Sequence, residues 1–355
     1  EFVFGDWSSD VCSSDLGTFT SAGSVSALNI ARWNGGNWLA LGSGVGDTNS
    51  SVSAMLAVGT NLYVGGRFSS VAGLSSTNTA IWNGSSWLPS GIGVGNESSS
   101  VQAIAAGPAE GYVGGTFTTA SETPANHIAR FTPSGWTVLG EGLGGASPTA
   151  AAIAVSGEDV YVGGGFFGAG SASARSVARW DGNSWWDVGR GFDGPVYALA
   201  MAGTELYAGG SFSWSYTGEY VWFIARWNGS TWVNLGSGLN LPVRAIAVSG
   251  TDLYAGGDFT TAGGASANHF ARWNGSSWFP LGSGMNGSVR AIAVTGSDAY
   301  VGGDFTTAGG LFANHIARWN GTSWGPLGDG VNGSVHAIAV SGISVYVGGS
   351  FTTAG

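Results

Sequence analysis

One unit of 46–49 residues recurs seven times along this chain, and no other feature of the sequence constrains its fold as tightly. An aromatic closes a short strand-like run at Trp33, Trp82, Phe131, Trp180, Trp227, Trp273 and Trp319, at spacings of 49, 49, 49, 47, 46 and 46 residues. A Trp follows each by five residues, at Trp38, Trp87, Trp136, Trp185, Trp232, Trp278 and Trp324. A Tyr stands before a Gly pair in every unit: Tyr63, Tyr112, Tyr161, Tyr207, Tyr254, Tyr300 and Tyr346. Self-similarity at such a period marks a propeller, a solenoid or an array.

The grammar inside a unit chooses among these. Residues 243–248 (VRAIAV) form a short apolar run, followed by Ser-Gly-Thr-Asp turn chemistry and then LYAGGDF; HFARW alternates and ends in Asn-Gly before WFPLG. Asn-Gly between two such runs is a strong hairpin signal, since both central positions of a type I′ turn need positive φ. No unit holds ten residues at helical period. Each unit reads as four short antiparallel strands, a to d, so the expected class is all-β: a β-propeller of four-stranded antiparallel blades. The Gly pair of strand b is expected to let a neighbouring Trp ring lie on bare backbone. Strands a to d each occur seven times. Strands a and b near residues 335–351 should therefore pair with c and d near 28–41, closing a seven-bladed ring with no free sheet edge. An eight-bladed parent, or two successive propellers, cut at both ends would carry the same repeats.

Residues 1–16 are unlike everything after them. Asp6 to Leu16 back-translates, over all eleven codons, into a string resembling a short-read sequencing adapter. Residues 1–16 are accordingly expected to be an artefact outside the fold, and residues 17–355 a propeller fragment whose true N-terminus is missing. The sole cysteine, Cys12, lies in this segment, as do four of the 21 acidic residues. The net charge of −10 is thus partly its doing and carries no argument about partners.

The Gly pair after a strand-b Tyr, an aromatic in strand c and a Trp opening strand d together resemble the kelch repeat, over all seven units. The pattern is also similar to Gly/Trp-rich propeller repeats of large secreted bacterial proteins and of fungal cortical polarity markers. With the Gly/Ser/Thr-rich, Lys-free composition, the resemblance implies an extracellular or cell-surface bacterial protein. Kelch-like propellers host enzymes and binding scaffolds alike, so no active site comes with it. A kelch-like copper-radical oxidase needs a Cys crosslinked to a Tyr, and residues 17–355 hold no Cys.

Chemistry belongs on the face shared by the b–c and d–a connections, where the sequence varies between units. All eleven basic residues are Arg, without a basic cluster, so neither nucleic acid nor an anionic membrane surface is an expected partner. No run of eighteen apolar residues could span a bilayer. The second residue of strand a runs Ser53, Gln102, Ala151, Tyr197, Arg244, Arg290, His336 around the ring. Tyr197, Arg244, Arg290 and His336 should form a polar arc at one channel mouth, able to take an acidic sugar or small anion, or merely a solvated rim. Residues 211–223 (SFSWSYTGEYVWF) replace the usual FTTAGG-type turn and place Trp214, Tyr216 and Tyr220 on a loop, suited to stacking on a sugar or a protein, while Trp222 and Phe223 should begin strand c in the core.

The remaining polar repeats read as structure. Arg32, Arg130, Arg179, Arg226, Arg272 and Arg318 should bond backbone carbonyls or Asp258 and Asp304 between blades. His127, His269 and His315 are spread round the ring and make poor metal ligands. No calcium loop, catalytic triad or carboxylate pair is recognisable, and no cofactor motif. The expectation is a non-catalytic extracellular scaffold or interaction module, a monomeric domain of a larger chain with a protein or glycan partner. A lectin-like carbohydrate-binding propeller is the first alternative, and a propeller hydrolase or lyase the second.

Overall fold

The structure, a computed structural model, describes residues 25–89, 93–107, 110–132 and 134–355. The expected artefact at residues 1–16 lies outside the described residues. Seven four-stranded antiparallel sheets surround a central axis. Their strands a are Ser51–Val58, Val101–Ala106, Thr149–Ser156, Val196–Ala202, Val243–Ser249, Val289–Thr295 and Val335–Ser341, and they number blades 1 to 7. Each strand a is the inner edge of its sheet and packs against the strands a on both sides. Blade 5 shows the plan: Val243–Ser249, Asp252–Gly257, Phe270–Trp273 and Trp278–Pro280 pair in chain order.

The ring closes as expected. In blade 7, strands a and b (Val335–Ser341, Ser344–Gly349) come from the C-terminal end, while c and d (Ile30–Trp33, Trp38–Ala40) come from the N-terminal end. Ile30 faces Gly348 and Trp33 faces Val345 across the junction. The core is a set of seams between blades rather than one centre. Tyr254, Phe270 and Leu281 of blade 5, for example, pack with Val289, Val301, Phe305 and Trp324 of blade 6. Such stacking of near-identical units is how repeat folds accumulate stability.

The tryptophans latch these seams. Within a blade the two repeat aromatics lie 5.3–5.5 Å apart between ring centroids. Trp38, Trp87, Trp185, Trp232, Trp278 and Trp324 of strand d also donate Nε1–H to a carbonyl of the preceding blade, as from Trp278 to Leu235 O and Trp324 to Leu281 O, both at 2.8 Å. Trp38 to Leu327 O, 2.9 Å, repeats the contact across the closure.

Two local expectations are corrected. The Gly pair does not receive a Trp ring. A Cβ on Gly256 would strike Val289 of the next blade, and one on Gly257 the Pro242 carbonyl, so the pair allows close approach of strand to strand. The Trp rings lie instead on the glycine after strand d: the Cβ site of Gly236 is 3.3 Å from Trp273 and 3.7 Å from Trp278. The Asn-Gly turns are four-residue loops, not two-residue ones, because Trp273 and Trp278 pair on either side of residues 274–277. Only the Gly takes positive φ (Gly275, 95°); Asn274 Oδ1 instead accepts the amides of Ser276 and Ser277 at 3.0 and 2.9 Å.

Strand a carries a device that was not read from the sequence. Its pairing with strand b skips one residue in every blade, as between Val289 and Ala291. The extra residues are Ser53, Gln102, Ala151, Tyr197, Arg244, Arg290 and His336. A β-bulge re-aims the side chain at the bulged position. Val289 and Ile292, three residues apart, thereby both face Gly256 of blade 5, and Arg290 is released from the seam.

Candidate functional site

The expected arc forms at the start of the innermost strands, on the face of the d–a and b–c loops. Tyr197, Arg244, Arg290 and His336 stand on adjacent blades in one register, with the Arg244 guanidinium 5.7 Å from the Tyr197 ring centroid. Both arginine forks, however, are already filled. Arg244 Nε and Nη2 donate to Asp258 Oδ1 and Oδ2 at 2.8 and 2.7 Å. Arg290 does the same to Asp304, at 2.8 and 2.7 Å. Ser288 Oγ, from blade 6, adds a 2.7 Å bond to Asp258 Oδ1. His336 Nε2 meets Ser350 Oγ at 3.2 Å.

Bidentate Arg–carboxylate pairs are the strong form of ion pair. Burial pushes the Asp258 carboxyl up, yet the Arg244 fork, the Ser288 hydroxyl and the Arg290 charge outweigh it and hold it below the usual carboxylate value. The same opposition, with Arg290, Ser334 and His336, holds Asp304 low. Burial first, then the Arg290 charge, push His336 down, against the pull of Asp304. The arc is an internally neutralised network; the expectation of two open guanidinium groups awaiting an anion loses its premise. The signal was in the sequence. Arg244, Arg290 and His336 each meet the residue fourteen places on, and of the seven such positions Asp stands only where the bulged residue is Arg.

The strand-c arginines differ from expectation in the same way. Arg130, Arg179, Arg226, Arg272 and Arg318 pair with Glu110, Asp159, Glu205, Asp252 and Asp298 of their own blades, not with Asp258 or Asp304. Each acid lies two residues before the strand-b Tyr opposite that Arg, as in Tyr254↔Arg272. His127, His269 and His315 share a left-handed backbone position, φ 71°, 65° and 63°. His269 Nδ1 and His315 Nδ1 each lie 3.1 Å from a strand-b carbonyl, Gly257 O and Gly303 O, a structural role for these two rings.

The second expected group, Trp214, Tyr216 and Tyr220, lies away from the arc, on the long b–c loop of blade 4. Asp193 from the preceding d–a loop accepts the Ser213 and Trp214 amides at 2.9 and 3.0 Å, as Asn240 does for Thr260 and Thr261 in blade 5. Inside the loop, Val221, Phe212 and Phe192 are buried, with Phe192 and Phe212 stacked at 4.1 Å. Outside it, Trp214, Tyr220 and Trp222 form a ladder with centroid steps of 4.7 and 5.6 Å. Trp222 was expected in the core and is instead 43% exposed; Phe223 is half-buried against the seam.

Tyr216 points the other way, over blade 3. With Ser171, Ser173, Arg175, Trp186, Asp187 and Arg190 it borders a groove of about 770 Å³. The Arg175 guanidinium lies 5.1 Å from the Tyr216 centroid and 5.7 Å from that of Phe167. Trp186 donates Nε1–H to Asp181 Oδ2 at 2.6 Å, which fixes its ring with half its surface exposed. Sequence reading singled out none of Phe167, Arg175, Trp186 and Arg190; the Trp-Trp pair at residues 185–186, absent from the other units, was the available signal.

This geometry defines a seven-bladed β-propeller. Residues 112–135 match a family described as a β-propeller domain of unknown function, DUF5122. No curated protein matches the chain. Among solved structures it is similar to the computationally designed Ika8 protein, at 15% identity and TM-score 0.52, covering 86% of this chain and 96% of that one. It is similar to the extracellular domain of the putative hybrid two-component system BT4673 from B. thetaiotaomicron, at 11% identity and TM-score 0.55, covering 85% of this chain and 37% of that one. A third likeness is to the WD40 β-propeller domain of Doa1, at 12% identity and TM-score 0.54, covering 85% and 94%. Such identities speak for the fold alone. Among the described residues no helix is long and apolar enough to cross a membrane.

Proposed function

We propose that this chain is a kelch-like, non-catalytic interaction module of an extracellular protein, holding its partner on the face of the b–c and d–a loops. One observation carries the reading: exposed aromatic side chains cluster on that face at blades 3 and 4, with Phe312 of blade 6 a further, separate one. Phe167, Tyr216, Tyr220 and Trp222 are all exposed there, whereas the matching hairpin of blade 5, Thr261–Ala262 with Ala265–Ser266, offers only small side chains. Rigid aromatics of this kind are the usual anchors of binding surfaces. Their absence from a sibling blade argues against a purely structural repeat role. The extracellular placement rests on the repeat resemblance and the Lys-free composition.

A carbohydrate partner is the second reading, favoured by the fixed face of Trp186 beside Tyr216 in a groove of saccharide size. The hydrolase or lyase alternative draws no support from the arc, whose two carboxylates are each engaged by a guanidinium fork. The test is binding to an immobilised panel of polysaccharides and peptides, comparing the native chain with Tyr216→Ala/Tyr220→Ala. Binding that the variant loses, at an unchanged unfolding midpoint, is the expected result. Binding indifferent to both substitutions, or release of new sugar ends from a bound polysaccharide, would overturn the proposal.

A further inference from the structure

Eleven arginines serve this chain, and seven of them form ion pairs among the described residues. Two of the other four, Arg175 and Arg190, border the same groove. Their positions are informative because three sibling blades place a loop-to-loop hydrogen bond there. In blade 2, Asn126 Nδ2 donates to Glu141 O at 2.9 Å; in blade 5, Asn268 donates to Ser283 O at 3.0 Å; in blade 6, Asn314 donates to Asp329 O at 2.9 Å. Each pair is fifteen residues apart, and so are Arg175 and Arg190. Blade 3 has arginine at both positions, where these three blades have the Asn pair and blades 7, 1 and 4 carry Leu28, Thr77 and Trp222 at the first. The arginine pair lacks the Asn hydrogen bond and brings two like charges to one groove. Arg190 also stands at φ 58°, a left-handed conformation that its counterparts Ser283 and Asp329 do not adopt.

We propose that the groove between blades 3 and 4 binds an acidic saccharide, a uronate-bearing chain. This rests on the interaction-module reading and names its ligand class. The ring of Trp186, held by Asp181, and that of Tyr216 offer apolar faces for the C–H side of a sugar. The Arg175 guanidinium lies between Phe167 and Tyr216, so stacking uses its faces and leaves its N–H edge for a carboxylate. Arg190 supplies the second cation. Ser171, Ser173 and Ser184, with the Asp187 carboxylate that accepts the Arg190 amide at 3.0 Å, provide partners for sugar hydroxyls. An acidic peptide would satisfy the arginines but make less use of the Trp186 face, so the saccharide is favoured.

Calorimetric titration with oligogalacturonate, its methyl ester and poly-glutamate tests this. The native chain should bind oligogalacturonate, more weakly as salt rises, and the neutral ester at least tenfold more weakly. Arg175→Ala/Arg190→Ala should lose tenfold or more toward oligogalacturonate, and Trp186→Ala should lose binding to both saccharides, with unfolding midpoints unchanged. Equal binding of acid and ester, abolished by Tyr216→Ala, would overturn the acidic assignment while leaving the interaction module standing. Poly-glutamate bound as tightly as oligogalacturonate would replace the saccharide by an acidic peptide. No binding of either saccharide would overturn the assignment.

Discussion

The channel arc and the blade 3–4 groove contain the same ingredients in opposite states. Each has two arginines beside a tyrosine on the loop face. In the arc, every fork grips an aspartate of its own blade, and the bulge at residue 244 or 290 aims it there. In the groove, the Arg175 guanidinium meets two aromatic faces, Arg190 lines the same cleft, and neither forms an ion pair with a carboxylate, in loops where three sibling blades use Asn and a carbonyl. The difference teaches that a pair of arginines marks a ligand site only when the fold has not already supplied the counter-charge. One pair stabilises the propeller; the other is held ready at some cost to it.

The largest expected effect is on the frame beneath the groove. Trp232 is fully buried, packs on Phe192 at 4.6 Å and donates to Val188 O across the blade 3–4 seam. Trp232→Ala should cost about 3–5 kcal/mol in chemical denaturation and take groove binding with it. A cost below about 1 kcal/mol would mean that the seam does not hold the two loops together.

Next comes the removal of counter-charge. Asp258→Ala/Asp304→Ala leaves the arc arginines unpaired in a half-buried setting and should cost roughly 1–3 kcal/mol. It should also make the arc resemble the groove, so that sulfate raises the unfolding midpoint of the variant more than that of the native chain. Arg175→Ala/Arg190→Ala should by contrast shift stability by no more than about 0.5 kcal/mol, or raise it. If the two double variants behave alike, the distinction between the regions fails.

Acid titration separates the regions more finely. The carboxyls of Asp258 and Asp304 are held below the ordinary aspartate value of 3.8, so their contribution is full above that pH and fades as pH falls through and below it. Arg244→Ala/Arg290→Ala should therefore flatten the acid limb of the stability curve, and the groove double variant should not. His336 is likewise held below 6.5, so protonation favours the unfolded chain and stability should begin to drop as pH falls below that value. His336→Asn should remove this shallower step. An unchanged profile between pH 7 and 5 would place His336 outside the network.

The smallest effect is expected at the outer ion pairs. Arg272 and Asp252 meet at 3.2 Å through one nitrogen. A double-mutant cycle should give about 0.5 kcal/mol or less, against about 1 kcal/mol for the bidentate Arg244–Asp258 pair. Equal coupling in the two cycles would show that fork geometry adds nothing here.

The sequence by itself determined the architecture: four short strands per unit, seven units, ring closure near residues 30 and 345, and tryptophans in the seams. These follow from local periodicity and repeat spacing, which act over a few residues and reappear in every unit, so each copy checks the others. Tertiary structure decided what the polar residues do. Pairing Arg244 with Asp258, setting Arg175 beside Tyr216, and turning Trp222 outward all depend on bulges and loop crossings that bring together residues far apart in the chain. Repeat comparison could have paired the arc arginines, since the acid varies with them at a fixed offset. It could not have built the groove, because Trp186, Arg175 and Tyr216 come from two blades and meet only where the propeller sets one loop against the next.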